Sequence, residues 1–126
     1  MNEREQLLDL LQRYFDGLYR GNAELLRGVF HPLARLFGEV QGQVLLRELE
    51  PYLQIVAARR SPMQNGEPQR MQVQALQIHG AIALATVRCD MLGFHYLDQL
   101  SLLKQGEQWF IVSKLYTHIE HRGEGL

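Results

Sequence analysis

A chain of 126 residues, 46% hydrophobic and 21% charged, has the size and composition of one globular domain able to bury a core without metal or disulfide staples. Thirteen basic and 14 acidic side chains give a formal net charge of −1, and no basic run exceeds Arg59-Arg60, which argues against both a nucleic-acid footprint and a polybasic membrane anchor. A lone cysteine, Cys89, allows no intramolecular disulfide, MNEREQLLDLLQRYF lacks the order of a signal peptide, and no apolar run approaches ~18 residues, so the expectation is a cytoplasmic protein.

The first half reads as helices. Leu7, Leu8, Leu11, Tyr14, Phe15 and Leu18 follow the spacing of one buried helical stripe. Asn2 and Glu5 fit a capping box at its start, and Gly21 ends it. Asn22 caps a short second helix whose Leu25, Leu26, Val29 and Phe30 face inward. It must stop near His31, because Pro32 disfavours a helical residue before it. A strand over Arg35–Glu39, a turn at Gln41-Gly42 and a short return strand follow. A third helix runs from about Arg47 to Arg60, with Pro51 in its first turn and Leu49, Leu53, Val56 and Ala57 buried. RRSPMQNGEPQR is a loop.

The second half reads as strands. In MQVQALQI, Gln72 and Gln74 share one parity that Leu76 and Ile78 then take over, a phase change that predicts a β-bulge. His79-Gly80 is a two-residue turn, and AIALATV, apolar on both faces, reads as a central strand. FHYLDQLSLLK and QWFIVSKLYTH form a long hairpin about Gln105-Gly106-Glu107. With a three-residue loop centred on Gly106, Asp98 faces Lys114, Tyr96 faces Tyr116 and His118 faces Phe94. Residues 119–126 read as a frayed tail of a single domain spanning 1–126.

Two words carry a family likeness. YFDGLYRGNAELLRGVFHPLARL and YLDQLSLLKQGEQWFIVSKLYTH resemble the opening and closing segments of the NTF2-like superfamily. Within it the chain is most similar to the group labelled putative lumazine-binding proteins and to SnoaL-like polyketide cyclases. The resemblance covers about residues 5 to 118. It implies an α+β cone: three N-terminal helices packed on a strongly bent mixed or antiparallel sheet of about six strands. It also implies a pocket between helices and concave sheet face, and a homodimer through the outer sheet face. Relatives range from ketosteroid isomerases and dehydratases to binding modules, so the fold alone selects no activity.

Candidate residues follow from parity and from the resemblance. The resemblance aligns Tyr14 with an oxyanion-stabilising tyrosine, and the alternative is a core aromatic with a satisfied hydroxyl. It places the isomerase's catalytic aspartate at Gly38, with Glu39 on the opposite strand face, which disfavours that mechanism. Asp98 shares parity with Leu100 and Leu102. It is either a cross-strand partner of Lys114 or a pocket acid, and desolvation would raise its pKa unless Lys114 offsets the effect. His31 marks a corner and secondarily a pocket-mouth group, so the catalytic candidates are Asp98, Tyr14 and His31. HIEH (His118 to His121) ends a strand and does not make a metal site, and Cys89 on an apolar strand reads as a buried inert thiol.

The leading expectation is a pocket for a small, largely apolar organic molecule, lined by Tyr14, Leu18, Phe30, Phe37, Leu53, Val56, Tyr96, Asp98 and Tyr116. No cofactor, metal, nucleic acid or membrane is expected as partner. The alternatives are a lyase or isomerase of the cyclase, dehydratase or ketosteroid-isomerase kind, and a non-catalytic dimerisation module.

Overall fold

The computed structural model describes residues 1–119, and its helical half begins with the capping box. Asn2 Oδ1 accepts from the Glu5 amide at 2.8 Å while Glu5 Oε1 accepts from the Asn2 amide at 3.0 Å, starting α1 (Glu3–Arg20). Gly21, at φ 66°, closes α1 in the left-handed conformation that glycine adopts without a Cβ penalty. The buried stripe is Leu7, Leu10, Leu11, Tyr14, Phe15 and Leu18. Leu10 replaces the expected Leu8, which is exposed because it lies about 90° from the stripe's centre at ~100° per residue. Asn22 caps α2 (Ala23–Val29) through the Leu25 amide.

The chain turns from helix to strand at Phe30, one residue before His31, and β1 spans Phe30–Val40. His31-Pro32 lies inside the strand, where pairing with the last strand is irregular between Phe30 and Arg35. β2 (Gln43–Glu48) returns through the Gln41-Gly42 turn, and α3 spans Leu49–Ala58, shorter at both ends than the spacing predicts. Tyr52, not Ala57, completes the buried face of α3. The strands β3 (Arg70–His79), β4 (Ile82–Met91), β5 (Phe94–Gln105) and β6 (Gln108–His118) then form an antiparallel meander. The turn after β3 is Gly80-Ala81, one residue later than expected.

The six strands form one mixed sheet in the order β2-β1-β6-β5-β4-β3, with β1 parallel to β6. β4 has a neighbour on each side, but its Ile82 and Leu84 stand exposed on the outer face. Gln74 is the extra residue of the bulge expected in β3. β6 carries a second bulge that the pattern did not announce. Ser113 pairs with Ser101 and Ile111 with Leu102, leaving Val112 over. Before it the buried positions of β6 are Trp109 and Ile111, and after it Lys114.

That bulge, with a two-residue turn at Gly106-Glu107, corrects the expected register by two. Asp98 pairs with Tyr116, Tyr96 with His118, and Lys114 with Leu100. A shift of two keeps every side chain on its expected face, so Lys114 is a diagonal neighbour of Asp98. Of the expected frayed tail, only Ile119 is within the described residues, and its amide bonds the His95 carbonyl at 2.9 Å.

The core lies between the α1 stripe, α2, α3 and the inner sheet face. A clasp holds the start of α1 to the β5–β6 hairpin: Glu3 accepts from Lys104 Nζ at 2.7 Å and from Trp109 Nε1 at 3.0 Å. These hydrogen bonds, Lys104 first, hold the Glu3 carboxyl below the ordinary glutamate range.

Candidate functional site

The inner row of β5 reads Asp98, Leu100, Leu102, and its polar member is only 1% exposed. A carboxylate so buried needs partners, and three elements supply them. Tyr14, midway along α1, donates its hydroxyl to Asp98 Oδ2 at 2.6 Å. Cys89 of β4 offers a weak S–H contact to the same oxygen at 3.8 Å. Lys114 of β6, 5% exposed, brings Nζ to 3.9 Å from it. Lys114 also donates to the Tyr52 hydroxyl at 2.9 Å, and its ammonium lies 4.8 to 5.4 Å from the ring centres of Tyr14, Tyr52 and Tyr116. Oδ1 of Asp98 is buried without a hydrogen-bond partner among the described residues.

This cluster sets its own protonation. Burial, then the Asp98 charge, pushes Tyr14 far above the ordinary phenol value, and the same two causes raise Cys89. Both stay neutral donors at physiological pH. Burial works against the Lys114 ammonium, but Tyr52 and Asp98 outweigh it, and its pKa rises above the ordinary lysine value.

Asp98 and Lys114 sit at the wall of a cavity of about 290 Å³. One side is α3, which contributes Tyr52 and Ile55, with Arg59 just past its C-terminal end; the other is the inner face of β2, with Gln43, Leu45 and Arg47. Phe94, Tyr96 and Tyr116 form an aromatic wall, with Tyr96 and Tyr116 meeting edge-on at 6.2 Å between ring centres. Gly38 makes room for this wall: a Cβ there would lie 2.5 Å from Cζ of Tyr116. The ring of Tyr116 therefore occupies the space directly beside Gly38. Glu39 points the other way, where it accepts from the Gly42 amide at 2.6 Å and from the Thr117 hydroxyl at 2.9 Å.

Both the sequence and this architecture have counterparts. The model of a family described as "Putative lumazine-binding" matches residues 2–117. The chain belongs to that family. It is also similar to three crystal structures of NTF2-like proteins of unknown function. The one from Silicibacter pomeroyi is 23% identical, with 94% of this chain and 100% of that chain covered and a TM-score of 0.85. The one from Methylobacillus flagellatus is 21% identical over 93% and 92% of the two chains, with a TM-score of 0.83. The one from Shewanella baltica is 22% identical over 94% and 95%, with a TM-score of 0.81. No curated protein matches the sequence. The likeness establishes the NTF2-like fold, with the sheet order and helix placement described above.

In this family member the expected lining separates into four groups. Tyr96, Asp98 and Tyr116 reach the cavity wall. Tyr14 stands behind Asp98, fully buried, with its hydroxyl taken up by the carboxylate. Leu18, Phe30, Leu53 and Val56 are core residues that fill the interior beneath α1 and α3 instead of lining open space. Phe37 is 45% exposed on the outer sheet face, because Leu36 and Gly38 take the inner positions of β1. His31 is also apart from the cavity. Its Nδ1 accepts from the Leu33 amide at 3.0 Å, and its ring meets Phe110 edge-on.

Tyr52, Arg59, Arg47 and Phe94 were not among the expected lining. A signal for one of them exists: Tyr52 stands three residues before Ile55, on one face of α3, whereas Arg59 follows the end of the helix. Among the described residues, no group of three or more His, Cys, Asp or Glu side chains is placed to hold a metal ion. His121 of the HIEH stretch lies outside them. Among the described residues, no helix is long and apolar enough to cross a membrane.

Proposed function

We propose that the chain binds a small, flat, largely apolar organic molecule in the cavity, with a ligand N–H or O–H donating to Asp98 Oδ1. The observation that carries this reading is the buried, unpartnered oxygen of a residue at the wall of an aromatic-edged cavity of about 290 Å³. The family's description points to the same class of ligand, since lumazine is a flat fused bicycle bearing N–H donors. The lyase or isomerase alternative asks for at least two of Asp98, Tyr14 and His31 at one cavity. Only Asp98 is at this wall, so the binding reading has the better support.

Fluorescence titration with lumazine and with 2-naphthol tests it. A hydrogen bond to a buried charged group contributes roughly 1.5–3 kcal/mol, so Asp98→Asn is expected to weaken saturable binding by about tenfold or more. Absence of saturable binding by either compound, or equal affinity for wild type and variant, would sink the proposal.

The same reading includes a homodimer. Leu46, Phe37 and Leu115 form an apolar row across β2, β1 and β6 on the outer face, where Phe37 pairs with both others, and Val44 and Leu97 flank it on the outer strands of the same patch. A second copy related by a two-fold axis would cover each row with the other.

A further inference from the structure

Among the described residues four charged side chains line the cavity, and they do not balance. Lys114 and Asp98 pair with each other, while Arg47 and Arg59 add two further positive charges. The chain as a whole carries −1, so this excess is local. Other partly buried basic groups have acids beside them: Lys104 has Glu3, and Arg88 has Asp90. Among the described residues neither Arg47 nor Arg59 has a carboxylate partner, although both are partly buried. Nη2 of Arg59 is buried and donates to no partner among the described residues. A desolvated guanidinium nitrogen without an acceptor is unfavourable, and a planar anion satisfies it in a geometry that fits the guanidinium fork. A low-dielectric cleft with an excess of one sign also concentrates ligands of the other.

We infer that the ligand of this cavity is an aromatic acid, whose anionic group is held by Arg59 and Arg47 while a donor on its ring system meets Asp98. This inference rests on the binding reading above and adds the charge of the ligand to it. Met91, Phe94 and the tyrosines contact the flat body, and the two arginines select among such bodies by charge.

The test compares 6-hydroxy-2-naphthoate with its neutral isostere 6-hydroxy-2-naphthamide by calorimetric titration of the full chain. The acid is expected to bind about tenfold or more tightly than the amide, a ratio that shrinks as salt is raised because charge attraction is screened. Arg59→Gln is expected to remove most of that ratio by weakening acid binding. Arg47→Gln is the second variant, should Arg59→Gln not fold, and is expected to act in the same direction. Equal binding of acid and amide to the wild type would overturn the anionic-ligand inference and leave the cavity reading standing. So would a ratio untouched by both arginine variants. Binding of neither compound, or binding indifferent to Asp98→Asn, would overturn both.

Discussion

At Asp98 four side chains from four elements converge, and their mutual dependence is measurable. Tyr14→Phe removes the 2.6 Å hydrogen bond to a buried carboxylate, which is expected to lower stability by about 1.5–3 kcal/mol in urea unfolding. Lys114→Met leaves the Asp98 charge without its ion-pair partner in the same enclosed space, and a loss of about 3–5 kcal/mol is expected. Asp98→Asn combined with Lys114→Met removes both charges and is expected to recover much of that loss, a non-additivity that a double-mutant cycle reads directly. Asp98 was legible in the sequence as an acid on an apolar row. Its attachment to Tyr14 was not, because 84 positions separate the two and no local pattern links a helix face to a strand so distant in sequence.

Between elements, the closest constraint is at Gly38 of β1 against Tyr116 of β6. Gly38→Ala forces the tyrosine ring to move by several tenths of an ångström or more. It is expected to cost about 1–3 kcal/mol and to weaken ligand binding, since Tyr116 is part of the cavity wall. The clasp from α1 to the β5–β6 hairpin has a pH signature. Glu3 has a depressed pKa in the folded chain, so its contribution is complete above the ordinary glutamate value of 4.5 and is lost as pH falls through the folded value. Thermal melts should show a drop below about pH 4.5, and Glu3→Gln should remove part of that drop while lowering the melting temperature at neutral pH. Element order and the bulge in β3 could be read from residue patterns, since Gln72, Gln74, Leu76 and Ile78 record their own phase change. The register of the last hairpin could not. A two-residue turn replaced the assumed three-residue loop, and the bulged Val112 supplied the second position of the shift. Val112 is apolar and β-branched like any strand residue, so nothing in its identity marks it as extra.

For the whole molecule, the outer face makes the simplest prediction. Sedimentation at micromolar concentration is expected to give twice the chain mass, and Leu115→Glu, placed in the exposed apolar row, is expected to give the monomer. The fold was readable at this scale because two capped helices, a short hairpin, a third helix and then four long strands leave few arrangements, and the terminal segments carry the family likeness. The cavity was not, since its walls combine short elements, α3 and β2, whose residues there (Tyr52, Ile55, Gln43, Leu45 and Arg47) mix polar, charged and apolar side chains and follow no single stripe. The bulge at Val112 separates two properties that usually travel together, facing and curvature. Without Val112 the remaining residues of β6 would alternate regularly, with Trp109, Ile111, Lys114 and Tyr116 still directed inward. A chain lacking that one residue would keep every inward assignment and lose only the local bend and added twist. Its affinity for a flat ligand would therefore measure how much of the site is made by shape alone.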